Sequence, residues 1–509
     1  MKKLKKIFAL VLAAAMVLAM NLTAFATETL YTITAPNNTH TYEIYQIFTG
    51  DYSGGVLTNI KWGKNGTGTT GEAVDPDIIT ELTGATGSDT AKLAVIKKYV
   101  NLDSNNKFDT VSNGSTINVP GGYYLIKDED DALKDQNDAY TLYIVEVADD
   151  VTITPKSDVP EFEKKVKDTD DTAGTTTNWQ DSADWDIGDK VPFQLKGTVT
   201  SKYDDYKAYQ FIFHDHESNG LTFDSSSVKV YVDGTEIKSG YNVVTTGLED
   251  NGCTFEVVFD DLKDITSVHA GSVITVEYQS ELNENAVIGS AGNPNTAKLE
   301  FSNNPNDEQG GETGTTPDDT VIVFTYKTVI NKVRLATSEE EEGRDENGYI
   351  RLAGADFQLE KFVANADGSE VYNGKNGRWT EVTNKTTGED KTTFTFSGLD
   401  DGYYRLTETA TPSGFNTIVP IYFTITAEHD VLSDSPTLTS LNGTVTTGEI
   451  TFTPNEGEGS LSANVVNKSG LELPQTGGIG TTVFYILGGI LVIGASVVLI
   501  VRRRMNTDK

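Results

Sequence analysis

Between residues 160 and 303, three polar residues interrupt apolar strand faces, and together their types could form a covalent bond. In Pro160-Glu-Phe162-Glu-Lys164-Lys-Val166, side chains two apart share a face, so Lys164 lies with Phe162 and Val166. Phe211, Phe213 and Asp215 share a second face, and Leu299, Phe301 and Asn303 a third. This pattern points a lysine, an acid and an asparagine into one core. Burying the charges unpaired would cost several kcal/mol. Reaction removes them instead. A desolvated lysine gives up its proton and becomes a nucleophile. A desolvated acid keeps its proton and can hydrogen-bond the asparagine amide oxygen as the amine attacks. Ammonia then leaves, and a Lys–Asn crosslink remains.

The elements that must position these groups read as short strands. Runs rich in Val, Ile, Thr, Tyr and Phe alternate with Gly, Asn, Asp and Ser clusters, as in Tyr42 to Phe48, Tyr140 to Val147, Tyr209 to Phe213, Val273 to Tyr278 and Ile421 to Thr426. Helical periodicity is confined to Ser88–Val100, with Leu93, Ile96 and Val100 on one face, and to a short stretch from Pro76 to Leu82. The expected class is mainly β, built of tandem Ig-like β-sandwiches. Two prolines, Pro155 and Pro160, mark a seam, and the stretch 304–320 is poor in large apolar side chains and reads as a linker. The expected domains are 27–155, 156–303 and 321–470.

The 509-residue chain carries 75 acidic against 40 basic residues. Such a surface repels nucleic acid and anionic headgroups, so neither is expected as a partner. Its one cysteine, Cys253, excludes an intrachain disulfide. Cys253 sits in a strand-like run and reads as a small buried hydrophobe.

Both ends read as processing signals. Lys2, Lys3, Lys5 and Lys6 precede an apolar stretch and Ala24-Phe25-Ala26, the layout of a signal peptide over residues 1–26. At the other end, residues 471–509 hold Leu473-Pro474-Gln475-Thr476-Gly477, an uncharged run from 479 to 501, and Arg502-Arg503-Arg504. The run is long enough to cross a bilayer, and the arginines suit its cytoplasmic side. Removing both processed ends takes away 8 basic and 1 acidic residues and leaves a net charge of −42. The C-terminal order resembles the cell-wall sorting signal of Gram-positive surface proteins. That resemblance implies cleavage by a sortase after Thr476, transfer of the threonine acyl group to an amine, and only a transient stay in the membrane.

Further motifs resemble sortase-polymerised backbone pilins. Thr154-Pro155-Lys156-Ser157 resembles their pilin motif, although the family usually has Tyr and Asn where Thr154 and Ser157 stand. The resemblance makes Lys156 the amine that takes the threonine of the next subunit. The flanking prolines stiffen the backbone around it. Asp215 with Gly220-Leu221-Thr222-Phe223, and Asn303 in Phe-Ser-Asn-Asn-Pro, resemble a Cna-A-type pilin middle domain. Leu352-Ala-Gly-Ala-Asp-Phe-Gln-Leu359 and Gly402-Tyr-Tyr404-Arg-Leu406-Thr-Glu408 resemble a Cna-B-type domain and its E-box. That likeness implies a second crosslink set of Lys332, Glu408 and Asn467, with Lys327 a weaker amine. The first domain offers no lysine before Lys61, so no such bond is expected there.

Other signals carry less. Gly66-Thr-Gly68-Thr-Thr-Gly71 fits a phosphate-loop pattern, but no clear strand leads into it. His214 and His216 alternate with Asp215 and are expected as surface histidines, so no metal or cofactor is expected. The resulting reading is a structural shaft subunit, not an enzyme. Its expected partners are copies of itself, class C and housekeeping sortases, peptidoglycan, ancillary pilins and an unidentified host or microbial ligand. The alternative is a wall-anchored monomeric adhesin or minor pilin.

Overall fold

The computed structural model describes residues 29–470, apart from 54–55, 85–92, 94, 134–135, 155–157, 251, 306–311, 338, 341 and 369. Lys156, the sorting pentapeptide with Thr476, the signal peptide and the 479–501 span therefore lie outside the described residues. Strands dominate, because alternating Val, Ile, Phe, Tyr and Thr fit a half-buried pleat. Pro76–Gly84 is a helix, and the described end of the expected 88–100 helix closes as a 3₁₀ turn at Lys97–Tyr99.

Residues up to about 153 form a three-stranded and a five-stranded sheet around two apolar clusters. In the Gly66–Gly71 loop, a side chain on Gly68 would run into Trp62 Nε1 at 2.2 Å, and one on Gly66 into Trp62 Cε3 at 2.4 Å. These glycines let the loop lie flat on an indole. The phosphate-loop likeness has that bland cause.

The next sandwich packs two sheets face to face. One runs Thr235–Ile237, Leu221–Val232, Val273–Leu282, Lys190–Thr198, Glu161–Val166. The other runs Ser182–Asp184, Asp319–Phe324, Asn293–Ser302, Phe211–Glu217, Phe255–Phe259, Asn242–Val244, with Thr313–Thr315 paired to Asn293–Ser302. The expected 304–320 linker is thus corrected: residues 313–315 and 319–324 are strands of this sandwich, and Val321 and Val323 enter its core. The stretch looked like a linker because its polar residues obscure two short strand pairings.

In the C-terminal sandwich, the opening strand Tyr326–Leu335 lies parallel to the closing strand Ser460–Val466, with Lys332 opposite Val465. The facing sheet includes Asp356–Ala364, Gly402–Ala410, Ile421–His429 and Leu438–Thr447.

One ion cluster fixes the first domain's loops. His40, just before Thr41–Ser53, places Nδ1 2.9 Å from Asp128 and Nε2 2.7 Å from Asp138. Burial alone would lower its pKa, but the two carboxylates outweigh it and raise the imidazole to about 9. The stabilisation is therefore complete below the ordinary value of 6.5 and is lost as pH rises through about 9. Hydrogen exchange of the Gly122–Asp128 amides is expected to accelerate above that pH in the native chain. In His40→Gln it is expected to be fast already at neutral pH.

Candidate functional site

In the middle sandwich the lysine comes from one sheet and the acid from the other. Lys164, on Glu161–Val166, is fully buried with its Nζ 2.5 Å from Asp215 Oδ2 and 2.8 Å from Tyr278 OH. Tyr278 OH donates to the same carboxylate oxygen at 2.8 Å. The asparagine that joins them is Asn295, whose Nδ2 donates to Tyr278 OH at 2.9 Å. Asn295 is fully buried, and its Oδ1 has no hydrogen-bond partner; neither does Asp215 Oδ1. A protonated Asp215 can supply the donor that such an amide oxygen lacks.

Asn303, the expected partner, is corrected by the strand register. Phe211 pairs with Phe301 and Asp215 with Ala297, so Asn303 lies six residues along the strand from the acid's partner. At the usual rise that is roughly 20 Å. Asn303 is buried for another purpose: its Nδ2 donates to Leu133 O at 2.8 Å, and its carbonyl accepts from Tyr140 N at 2.9 Å. It ties the first domain to the second. The missed signal was present, since Asn295 and Asn303 occupy the same alternating face and only the cross-strand pairing separates them. Tyr278 and Glu217 were missed as well. Glu217 pairs with Asn295 across the sheet, is pushed up to about 8 by burial and then by Asp215, and accepts from Ser280 Oγ.

The C-terminal set comes together as expected. Lys332 Nζ, fully buried, contacts Asn467 Oδ1 and lies 2.9 Å from Glu408 Oε1. Asn467 Nδ2 donates to Glu408 Oε1 at 3.0 Å. Glu408 Oε2 accepts from Ile418 N at 3.0 Å, which fixes the carboxyl. Lys327 faces away from this cluster and is half-buried.

Desolvation sets the chemistry of both clusters. Burial pushes Lys164 below the usual lysine range despite Asp215, and pushes Asp215 above the usual carboxylate range despite Lys164. Burial likewise lowers Lys332, with Glu408 opposing it. The shifts of Lys164 and Lys332 favour neutral amines and that of Asp215 a neutral acid, which suits attack on an amide.

A third buried lysine behaves in the opposite way. Lys361 Nζ lies 2.6 Å from Asp186 and 3.2 Å from Asp171, and also contacts Asp400. Burial would lower its pKa, but Asp400 and Asp186 drive it well above the usual range. It stays an ammonium between two sandwiches, with no asparagine among its hydrogen-bond or ion-pair partners in the described residues. The histidine reading also needs correction. His214 does lie on the outer face, but it is buried, with Nδ1 2.8 Å from Glu256 and Nε2 2.9 Å from Glu300. Burial opposes its charge, yet neighbouring Cys253 and the glutamates hold it at about 9. Cys253 is half-buried beside that ring, 3.7 Å from Nδ1, and not in the apolar core.

The stacked β-sandwiches hold lysines buried beside acids and amides, and known proteins share their architecture. Residues 187–305 match the model described as Gram-positive pilin backbone subunit 2, Cna-B-like domain. Residues 342–436 match the SpaA prealbumin-like fold domain, and 466–507 the LPXTG cell wall anchor motif. The chain is 24% identical over 401 residues to the trypsin-resistant surface T6 protein of Streptococcus pyogenes serotype M6, covering 69% of this chain and 70% of that one. The solved T6 backbone pilin aligns with a TM-score of 0.51 at 17% identity, over 88% of this chain and all of that one. The full-length major pilin SpaD of Corynebacterium diphtheriae aligns at 0.46 and 18% identity, over 88% of this chain and 99% of that one. The chain thus carries a pilin-backbone domain, a SpaA-type domain and a cell-wall anchor and is homologous to the T6 backbone pilin, which makes it a secreted, peptidoglycan-anchored structural subunit of a surface pilus.

The contrast among the lysines yields one prediction. Lys361→Met strands three carboxylates in a covered joint, and denaturant unfolding is expected to show a loss of about 3–5 kcal/mol.

Proposed function

We propose that the chain builds a pilus shaft through one intersubunit bond and two internal ones. In the intersubunit step, a class C sortase cleaves after Thr476, and the Lys156 amine of the neighbouring subunit displaces the sortase from the threonine acyl group. A housekeeping sortase then passes the last Thr476 to peptidoglycan, and ancillary pilins cap or root the fibre. Inside each subunit, Lys164 attacks Asn295 Cγ and Lys332 attacks Asn467 Cγ. The attacking amine loses a proton, the asparagine nitrogen gains one through the neighbouring acid and leaves as ammonia, and an amide remains. The domains this assigns are 29–153, about 160–323 and about 325–467.

The observation that carries this reading is the repeated cluster. Two separate sandwiches each hold a desolvated lysine on their opening strand, with an acid on the facing sheet and a terminal-strand or strand-end asparagine. Chain-entropy arithmetic for a crosslink enclosing over a hundred residues gives about 5 kcal/mol per bond.

Two measurements test it. The intact mass of the full chain is expected to fall short of its sequence mass by two ammonia equivalents. Asn295→Ala removes one of these deficits, and Asn303→Ala leaves both. The reverse pattern would return the middle crosslink to Asn303. In wall extracts, an immunoblot is expected to show a high-mass ladder that Lys156→Ala collapses to a single wall-linked species. A single band from the unmutated chain would instead make it a monomeric adhesin or minor pilin.

A further inference from the structure

Where the middle and C-terminal sandwiches meet, His429 closes the strand Ile421–His429 and points across the joint. Its Nε2 lies 3.6 Å from Asp184 Oδ1 and 3.8 Å from Asp168 Oδ2. These gaps are too long for hydrogen bonds. All three side chains are nonetheless largely covered, at 7%, 5% and 15% exposure.

The other ring nitrogen fixes the tautomer. His429 Nδ1 is 2.7 Å from Ser182 Oγ, and Ser182 Oγ donates to the Asp430 carbonyl at 2.7 Å. A hydroxyl has one proton to give, so Nδ1 is the donor toward Ser182. The neutral ring therefore aims the Nε2 lone pair at two carboxylates. Asp184 is oriented in the same way: its Oδ2 accepts from Asp401 N at 3.1 Å, which leaves Oδ1 for His429. Such hydrogen bonds from behind are how proteins hold metal ligands in place.

The three electron-rich atoms lie within 4.8 Å of one another. Ligand atoms held about 2.0–2.2 Å from a tetrahedral ion stand roughly 3.3–3.6 Å apart, so little tightening is needed. A separate observation points to the same spot. The Tyr326 hydroxyl is fully buried, makes no hydrogen bond of good geometry, and stands against Asp184 with Asp401 and Asp168 close by.

We propose that His429, Asp168 and Asp184 form a divalent metal site that clips the C-terminal sandwich to the middle one. An imidazole with two carboxylates suits Zn²⁺, whereas Ca²⁺ takes six to eight oxygens. Asp168 and Asp184 come from one sandwich and His429 from the other, so the ion would act as a joint.

The test uses the full chain in detergent micelles, stripped with EDTA and titrated calorimetrically with ZnCl₂ or CaCl₂. One Zn²⁺ per chain at micromolar affinity or better is expected, with Ca²⁺ far weaker. His429→Gln and Asp184→Asn are each expected to weaken uptake at least about tenfold. His214→Gln should leave it intact. Unchanged ammonia loss in the variants shows that the sandwiches still fold. Co²⁺ in place of Zn²⁺ should give a visible spectrum of mixed nitrogen and oxygen coordination in the unmutated chain. Absence of Zn²⁺ uptake, uptake that His429→Gln leaves unchanged, or a Co²⁺ spectrum like the aqueous ion overturns the proposal.

Discussion

The architecture turns on what an amine does when water is taken away from it. Lys164, Lys332 and Lys361 are all buried in sandwich cores or joints, yet they reach opposite states. With one carboxylate in direct contact, desolvation wins and pushes the amine below the usual lysine range. With three carboxylates around it, attraction wins and the ammonium persists. The first arrangement suits a covalent weld beside an asparagine, and the second an ionic clasp between sandwiches. The number of carboxylates in direct contact separates the two states.

Much of this was legible from alternation alone. A period of two put Lys164, Asp215 and Glu408 on inward faces, because each stands among Phe, Val, Leu or Tyr at even spacing. Asn303 satisfied the same rule and was still the wrong residue. Alternation says which face a side chain takes, but not how far along the partner strand it falls. Only the pairing of Phe211 with Phe301 supplies that distance. Tyr278 was hidden for a related reason: a tyrosine in a Val-rich strand reads as core, and its hydroxyl gains meaning only from two partners on another sheet. His214 escaped because an outward face can still be covered by glutamates on neighbouring strands.

The joint between the later sandwiches explains why the linker expectation failed. Segment 168–187 belongs to the middle sandwich in sequence, yet its backbone meets the next one: Ile187 N donates to Gly398 O, and Asp181 N to Val431 O. Asp319–Phe324 completes the middle sheet, and the next sandwich opens two residues later at Tyr326. Little free chain is left between them. Polar composition alone could not reveal this, since it says nothing of the backbone pairing of 313–315 and 319–324.

The parallel alignment of Tyr326–Leu335 with Ser460–Val466 has a mechanical consequence. Tension entering a subunit at one end and leaving at the other would cross each welded sandwich by a short route, from Lys164 to Asn295 and from Lys332 to Asn467. Residues 165–294 and 333–466 would hang off that route as slack. Asp168, Asp171, Asp184 and Asp186 lie in the first slack segment, and Lys361, Asp400 and His429 in the second. With the proposed crosslinks in place, the ionic clasp would be shielded from the strain the fibre transmits, setting the angle between sandwiches without bearing the load.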